Sequence, residues 1–256
     1  MHTMRVIDSH AHCGIQEPYP PQAFEDYLAA IRKSPISGVA LFPPVAEIYD
    51  RHDPFFTDTP SWRESRKTAN HYLTTLKNRE IDVFPYFFIW NDFAVDQLSD
   101  NHYGIKWHRH DDEPRYNYDD PACQAAVQAI RKRNLPVVLE EELENTIRFV
   151  EAIAPGLTVI IPHLGMLNGG YHRLASAGIW ENPNVWADTA LAPARDITEY
   201  IDQYGHHRLL FGSDFPFGHP PSELSKIRRL SLADTEIKDI FANNLMRLYE
   251  QIQRGI

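Results

Sequence analysis

The sequence predicts an α/β fold, a single-domain (β/α)8 barrel spanning residues 1–256. Three observations predict it. Eight short apolar runs rich in β-branched and aromatic residues recur along the chain, and helix-like segments lie between them. The length of 256 residues matches the roughly 250 that one such barrel takes. Strands alternating with helices imply a parallel sheet, and no Gly-x-Gly-x-x-Gly follows the first run to favour an open dinucleotide-binding sheet.

The runs in the first half are 5–12 (RVIDSHAH), 37–43 (SGVALFP), 82–90 (DVFPYFFIW) and 104–108 (GIKWH). The second half adds 135–140 (LPVVLE), 157–163 (LTVIIPH), 184–190 (NVWADTA) and 207–214 (HRLLFGSD). Phe24, Leu28 and Ile31 form a helical stripe in 21–33, and Ala122, Ala125, Ala126, Ala129 and Ile130 form another in 120–133. Asp234 and the amphipathic run to about Gln253 predict a capped C-terminal helix. The longest irregular stretches, 43–62 and 108–120, each follow a strand, so in a barrel they belong to the face where active sites are built.

Composition narrows the function. Asp and Glu number 35 against 25 Lys and Arg, and the net charge of −10 argues against nucleic acid as a partner. Two cysteines, Cys13 and Cys123, offer no disulfide framework, which makes a reducing cytoplasm the expected compartment. The opening MHTMRVIDSH lacks the basic-then-apolar pattern of a signal peptide, and no apolar run approaches the roughly 18 residues of a membrane span. A soluble protein acting on a small molecule, with homo-oligomerisation left open, is the expectation.

Four strands end in side chains that can bind a metal: His10 and His12 on the first, Glu140 on the fifth, His163 on the sixth and Asp214 on the eighth. Alternate residues of a strand share a face, so His10 and His12 point together, with Asp8 in the same parity. Asp214 shares its face with Leu210 and Gly212, and the glycine leaves room beside the site. A barrel gathers such strand ends around one mouth. The spacing alone is weak, since His108 and His110 repeat it.

The motifs VIDSHAH, GIKWH, LPVVLE, VIIPHLG and LLFGSDFP, in this order, resemble the amidohydrolase superfamily, and in particular its branch of small amidohydrolase-related hydrolases and non-oxidative decarboxylases. Asp119-Asp120-Pro121 and Asn243-Asn244-Leu245 are similar to that branch as well, so the resemblance runs from residue 5 to about 250. It implies a divalent metal held by His10, His12 and Asp214, with His163 on the metal or the substrate. The fifth strand departs from the pattern, ending in Glu140 where the family places a histidine. A glutamate ligates zinc at about 2.0–2.2 Å, and its harder oxygen also admits manganese or iron. Zinc is the expected ion, with Glu140 as its further ligand.

The resemblance further implies metal-assisted hydrolysis of a small, carboxylated or cyclic substrate, a lactone or an amide. The ion lowers the pKa of water toward about 7, Asp214 acts as general base, and His163 with Lys106 or His108 stabilises the oxyanion. Lys106, His108 and Arg109 are the expected substrate contacts, with Arg115, Arg173 and Arg195 as further carboxylate-binding candidates. In some members a lysine on the fourth strand is carbamylated and bridges two metals; GIKWH looks more like the mononuclear branch. Decarboxylation is the alternative chemistry. A nuclease of the TatD type and a non-catalytic ligand-binding barrel are the remaining ones.

Structural explanations compete at each position. Asp214 can cap a helix, Glu140, Glu141, Glu142 and Glu144 can form the acidic first turn of one, and register can select Glu141 instead of Glu140. Trp90 and Trp107 read as packing residues, and Cys13 as a buried thiol.

Overall fold

The computed structural model describes residues 4–15 and 20–255; residues 1–3 of the segment read for a leader lie outside them. Eight parallel strands pair in chain order: β1 (Ile7–His12), β2 (Gly38–Phe42), β3 (Asp82–Phe88), β4 (Gly104–His108), β5 (Val137–Glu140), β6 (Val159–Ile161), β7 (Val185–Asp188) and β8 (Leu209–Leu210). Most strand residues are buried, because helices cover the sheet outside and side chains fill it inside. The (β/α)8 barrel expected from the sequence is the fold.

Strand β8 is shorter than the run 207–214 predicts. Beyond Leu210 the chain bonds to β1 and nearly closes the barrel: Ser9 N donates to Phe211 O at 2.8 Å, Asp214 N to His10 O at 2.7 Å and His12 N to Phe215 O at 2.7 Å. Asp214 takes a left-handed φ of 57°, which turns the chain out of the ladder.

The outer layer starts with α1 (Phe24–Ile31) and α2 (Pro60–Thr75), then α3 (Pro121–Arg133) and α4 (Leu143–Arg148). It continues with α5 (Tyr171–Ser176), α6 (Ala194–Tyr204), α7 (Pro220–Arg228), α8 (Asp234–Lys238) and α9 (Asn244–Glu250). Between β3 and β4 only a 3-10 turn, Val95–Gln97, stands where an α-helix is expected. The stripe of α3 lies one residue away from the alanine pattern: Cys123, Ala126, Val127 and Ile130 face the barrel, while Ala122 and Ala125 face out. The larger side chains bury more apolar area, which decides the face. Likewise Tyr27, with Phe24 and Ile31, supplies the buried face of α1 where Leu28 was expected.

Helix α2 has polar groups on its inward face. Asn70 bonds the Phe88 backbone on both N–H and C=O (2.7 and 3.0 Å), and Arg66 pairs with Asp58 and Asp92. At the C-terminus the expected helix is split by a π turn, Asp239–Asn243, and Asp234 lies inside the first turn instead of capping it. Asn244 donates to His206 O and Leu209 O, anchoring α9 to β8. Cys13 and Cys123 are free and buried. No helix among the described residues is long and apolar enough to cross a membrane.

Candidate active site

The C-terminal strand ends enclose a cavity of about 610 Å³, lined by His12, His108, His110, Glu140, His163 and Asp214 among its polar groups. Val45, Met166, Leu167, Leu191 and Phe217 supply apolar wall, and Arg51 and His52 reach it from the loop after β2.

Nε2 of His10 and Nε2 of His12 each lie 3.3 Å from the same Asp214 oxygen, Oδ1. Nδ1 of His10 donates to Asp188 Oδ2 at 2.8 Å, so the Nε2 lone pair is the one turned toward Asp214. Burial and the ammonium of Lys106 push His10 down to about 4, outweighing Asp188, and keep the ring neutral. Burial opposes the charge of Asp214, yet hydrogen bonding to His12 and the positive charge of His163 nearby hold it at about 2. Two imidazoles converging on one ionised carboxylate form a donor set that fits a divalent transition metal.

His163 sits in a left-handed turn, φ 57°, directly after β6. Its own N–H and that of Ala190 both donate to Asp188 Oδ1 (2.9 and 3.0 Å), so one carboxylate orients His10 and pins the turn that carries His163. Nδ1 of His163 faces the Ala190 carbonyl at 2.9 Å, leaving Nε2 3.8 Å from Glu140 Oε2. Burial disfavours the imidazolium, but the Glu140 carboxylate outweighs it and raises His163 to about 9. The nitrogen atoms of His10 and His163 and an oxygen of Asp214 lie within 4.8 Å of one another.

Glu140, expected to complete the His10, His12 and Asp214 set, stands on the neighbouring side of the cavity. Sheet register pairs it with His108, so its Oε1 meets His108 Nε2 at 3.3 Å and His110 Nε2 at 2.8 Å. Its Oε2 accepts from Lys106 Nζ at 3.0 Å, and that ammonium, 3.5 Å from His10 Nε2, separates the two groups. Burial opposes its charge, but His108 and Lys106 hold Glu140 well below the usual carboxylate range.

Glu141 is the residue turned away, in a buried ion pair with Arg109 at 2.8 Å. Arg109 therefore does not line the cavity, a correction to its expected role in substrate binding. The β4 run ends at His108, and the next residue faces the opposite side. Arg115, Arg173 and Arg195 are exposed and away from the cavity wall. The parity expected of Asp8 fails as well. The β1–β2 register shifts between Asp8 and Ala11, and the Asp8 carboxylate binds Ser213 and Tyr27 of α1. Gly212 behaves as expected: a Cβ there would come within 3.0 Å of His10 Cβ. Trp90 and Trp107 are buried in aromatic packing, Trp90 stacked 4.0 Å from Tyr49.

Asp188, His110, Glu113 and Arg51 are residues that sequence reasoning missed. Only the first two carried a signal, as a polar strand end and as a repeat of the His-x-His spacing.

An eight-stranded barrel with a His-x-His strand, a histidine after β6 and an aspartate after β8 defines an amidohydrolase-like enzyme. The chain belongs to the amidohydrolase family, which matches it over residues 7–251 and is a metal-dependent enzyme family. No curated protein matches it. Among solved structures it is similar to a protein assigned as a 2-pyrone-4,6-dicarboxylic acid hydrolase from Pseudomonas putida, at 16% identity and a TM-score of 0.69, covering 98% of this chain and 99% of that one. It is also similar to 5-carboxyvanillate decarboxylase from Sphingomonas paucimobilis, with 12% identity, TM-score 0.70 and coverage of 98% and 100%. An amidohydrolase 2 from Bifidobacterium longum subsp. infantis is 21% identical, with TM-score 0.62 and coverage of 98% and 100%. At these identities the likeness establishes the barrel.

Proposed function

We propose that the protein is a metal-dependent hydrolase that opens a small carboxylated or cyclic substrate, a lactone or an amide. The observation that carries this reading is the convergence of His10 Nε2 and His12 Nε2 on Asp214 Oδ1, both at 3.3 Å. His10, His12 and Asp214 would hold the ion, zinc first and manganese or iron as alternatives. When bound, the ion supplies Lewis acidity, polarising the scissile carbonyl and acidifying water toward a pKa of about 7.

The remaining steps fall to the chain. Asp214, ionised at neutral pH, takes the proton of the attacking water and returns it to the leaving oxygen or nitrogen. His163 Nε2–H faces the cavity and donates to the developing oxyanion. Lys106, fully buried, and His108 hold Glu140 charged, and Glu140 in turn keeps His163 protonated. Arg51 and His52 offer cavity-facing donors to a substrate carboxylate, and the apolar wall seats a ring and excludes water. The two buried free thiols support a cytoplasmic setting.

The protonated His163 also supports a second reading, non-oxidative decarboxylation, in which it delivers a proton to the carbon that loses carbon dioxide. One experiment separates the two. Metal-loaded protein is offered lactones, amides and aromatic carboxylates in oxygen-labelled water. Label in the product acid marks hydrolysis, and carbon dioxide release with an unlabelled product marks decarboxylation. Asp214→Asn should lower hydrolysis by about 10²–10⁴-fold. Wild-type turnover in that variant would overturn the assignment.

A further inference from the structure

On the wall beside the His10, His12 and Asp214 group stands a second donor set that the mechanism above uses only to hold charge. One ring nitrogen each of His108 and His110 and one oxygen of Glu140 lie within 4.8 Å of one another, and all three residues line the cavity. Both Nε2 atoms point at the same Glu140 oxygen, at 3.3 and 2.8 Å. The opposite nitrogens of both rings face one further carboxylate. Glu113 lies 3.9 Å from His108 Nδ1 and 3.4 Å from His110 Nδ1. Tyr49 donates to Glu113 at 2.6 Å and holds it there.

The geometry points to a second divalent-cation site formed by His108 Nε2, His110 Nε2 and Glu140 Oε1. Two imidazoles and one carboxylate are the donor set of open zinc or cobalt sites, which leave a fourth position for water or substrate. Here that position opens on the cavity. A ligating histidine needs its proton on the other nitrogen, with an acceptor behind it: Glu113 stands 3.4 Å from His110 Nδ1, and the Tyr49 hydroxyl, itself bonded to Glu113, stands 3.4 Å from His108 Nδ1. Arg51 lies against His110 Nδ1 at 3.0 Å and pairs with Glu113, so a guanidinium competes for the same nitrogen from outside.

Charge indicates what the site would receive. Glu113 and Glu140 are already balanced by Arg51 and Lys106. An ion added there keeps its positive charge for an anionic fourth ligand, and a substrate carboxylate has that chemistry. The site does not depend on His10, His12 or Asp214, so its test separates from that of the proposed hydrolase.

The test is calorimetric titration of chelator-stripped protein with Co²⁺, with the visible cobalt absorption recorded in parallel. Wild type should take two equivalents. His110→Ala should take one, with the cobalt band of the remaining site intact, and His12→Ala should lose the other. Glu113→Gln, which keeps the ligands, should weaken the His110-dependent equivalent by about 10–100-fold. Circular dichroism checks that each variant folds, and Glu113→Gln carries the test should His110→Ala fail to. No equivalent that depends on His110, so that His110→Ala binds as many ions as wild type, overturns the proposal, as does wild-type affinity in Glu113→Gln. A single wild-type equivalent lost in His110→Ala and kept in His12→Ala would instead count against the His10, His12 and Asp214 site.

Discussion

Asp188 at the end of β7 accepts the Nδ1 proton of His10 at 2.8 Å, between two side chains that are almost wholly buried. The same carboxylate accepts the backbone N–H groups of His163 and Ala190. Burial opposes its charge, but His10 and these donors keep its pKa below the usual value. One side chain therefore fixes the tautomer of one expected ligand and the position of the histidine opposite. Asp188→Asn should weaken metal binding by about 10–100-fold while leaving the ligands in place. Competition with a colorimetric chelator checks this, and wild-type affinity would refute the orienting role.

The ion pair of Arg109 and Glu141 predicts a different phenotype. Both side chains are fully buried, and Tyr118 and the Glu142 N–H also bind the carboxylate. Glu141→Leu leaves the buried guanidinium, for a carboxylate, only the longer contact to Glu142, at 3.7 Å, and should cost about 3 kcal/mol in urea unfolding. The folded fraction should bind metal as wild type does, because Glu141 does not line the cavity. A variant of unchanged stability would show that the pair is energetically idle.

The different fates of Glu140 and Glu141 show how far the sequence could be read. Apolar runs ending in polar residues mark the barrel strands, because a parallel sheet is buried on both faces. His10, His12, Glu140, His163 and Asp214 were visible as strand ends; the last four line one mouth, and His10 lies buried behind them, 3.3 Å from Asp214. Which side of that mouth Glu140 occupies depends on the β4–β5 register, a long-range property that local pattern does not carry. Arg51 and Glu113 come from loops whose shape is set by tertiary contacts. Helix α2 was hidden for the converse reason: Arg66 and Asn70 face inward there, so it has no clean apolar stripe.

His102, remote from the cavity wall, makes acid stability testable. Burial pushes its pKa down to about 4, and its Nδ1 accepts from Ser99 N at 3.1 Å, which needs the unprotonated ring. In the unfolded chain the same ring titrates near about 6.5. Between these values the unfolded state binds the extra proton, so stability is complete above about 6.5 and falls as pH drops toward about 4. The loss amounts to about 3 kcal/mol for this residue. His102→Gln should be less stable at neutral pH yet lose less between pH 6.5 and 4 in paired urea titrations. Parallel pH profiles for the two proteins would contradict the assignment.

Gly212 tests whether the site depends on the close approach of β8 to β1. A Cβ at this position meets His10 Cβ at 3.0 Å, Ala190 Cβ at 3.3 Å and Ser9 Oγ at 3.3 Å. The Ser9 hydroxyl can rotate aside, but the two Cβ atoms are fixed to the backbone, so the added methyl must displace backbone or His10 itself. Overpacking of this kind costs about 1–3 kcal/mol. His10 is held between Asp188 at Nδ1 and Asp214 at Nε2, so Gly212→Ala should also weaken metal binding, by more than the small loss of stability explains. Measuring the metal affinity of the folded variant beside its unfolding free energy distinguishes the two effects. Reduced stability with unchanged affinity would show that the two strand ends tolerate separation, and would locate the geometric constraint on β7 instead of β8.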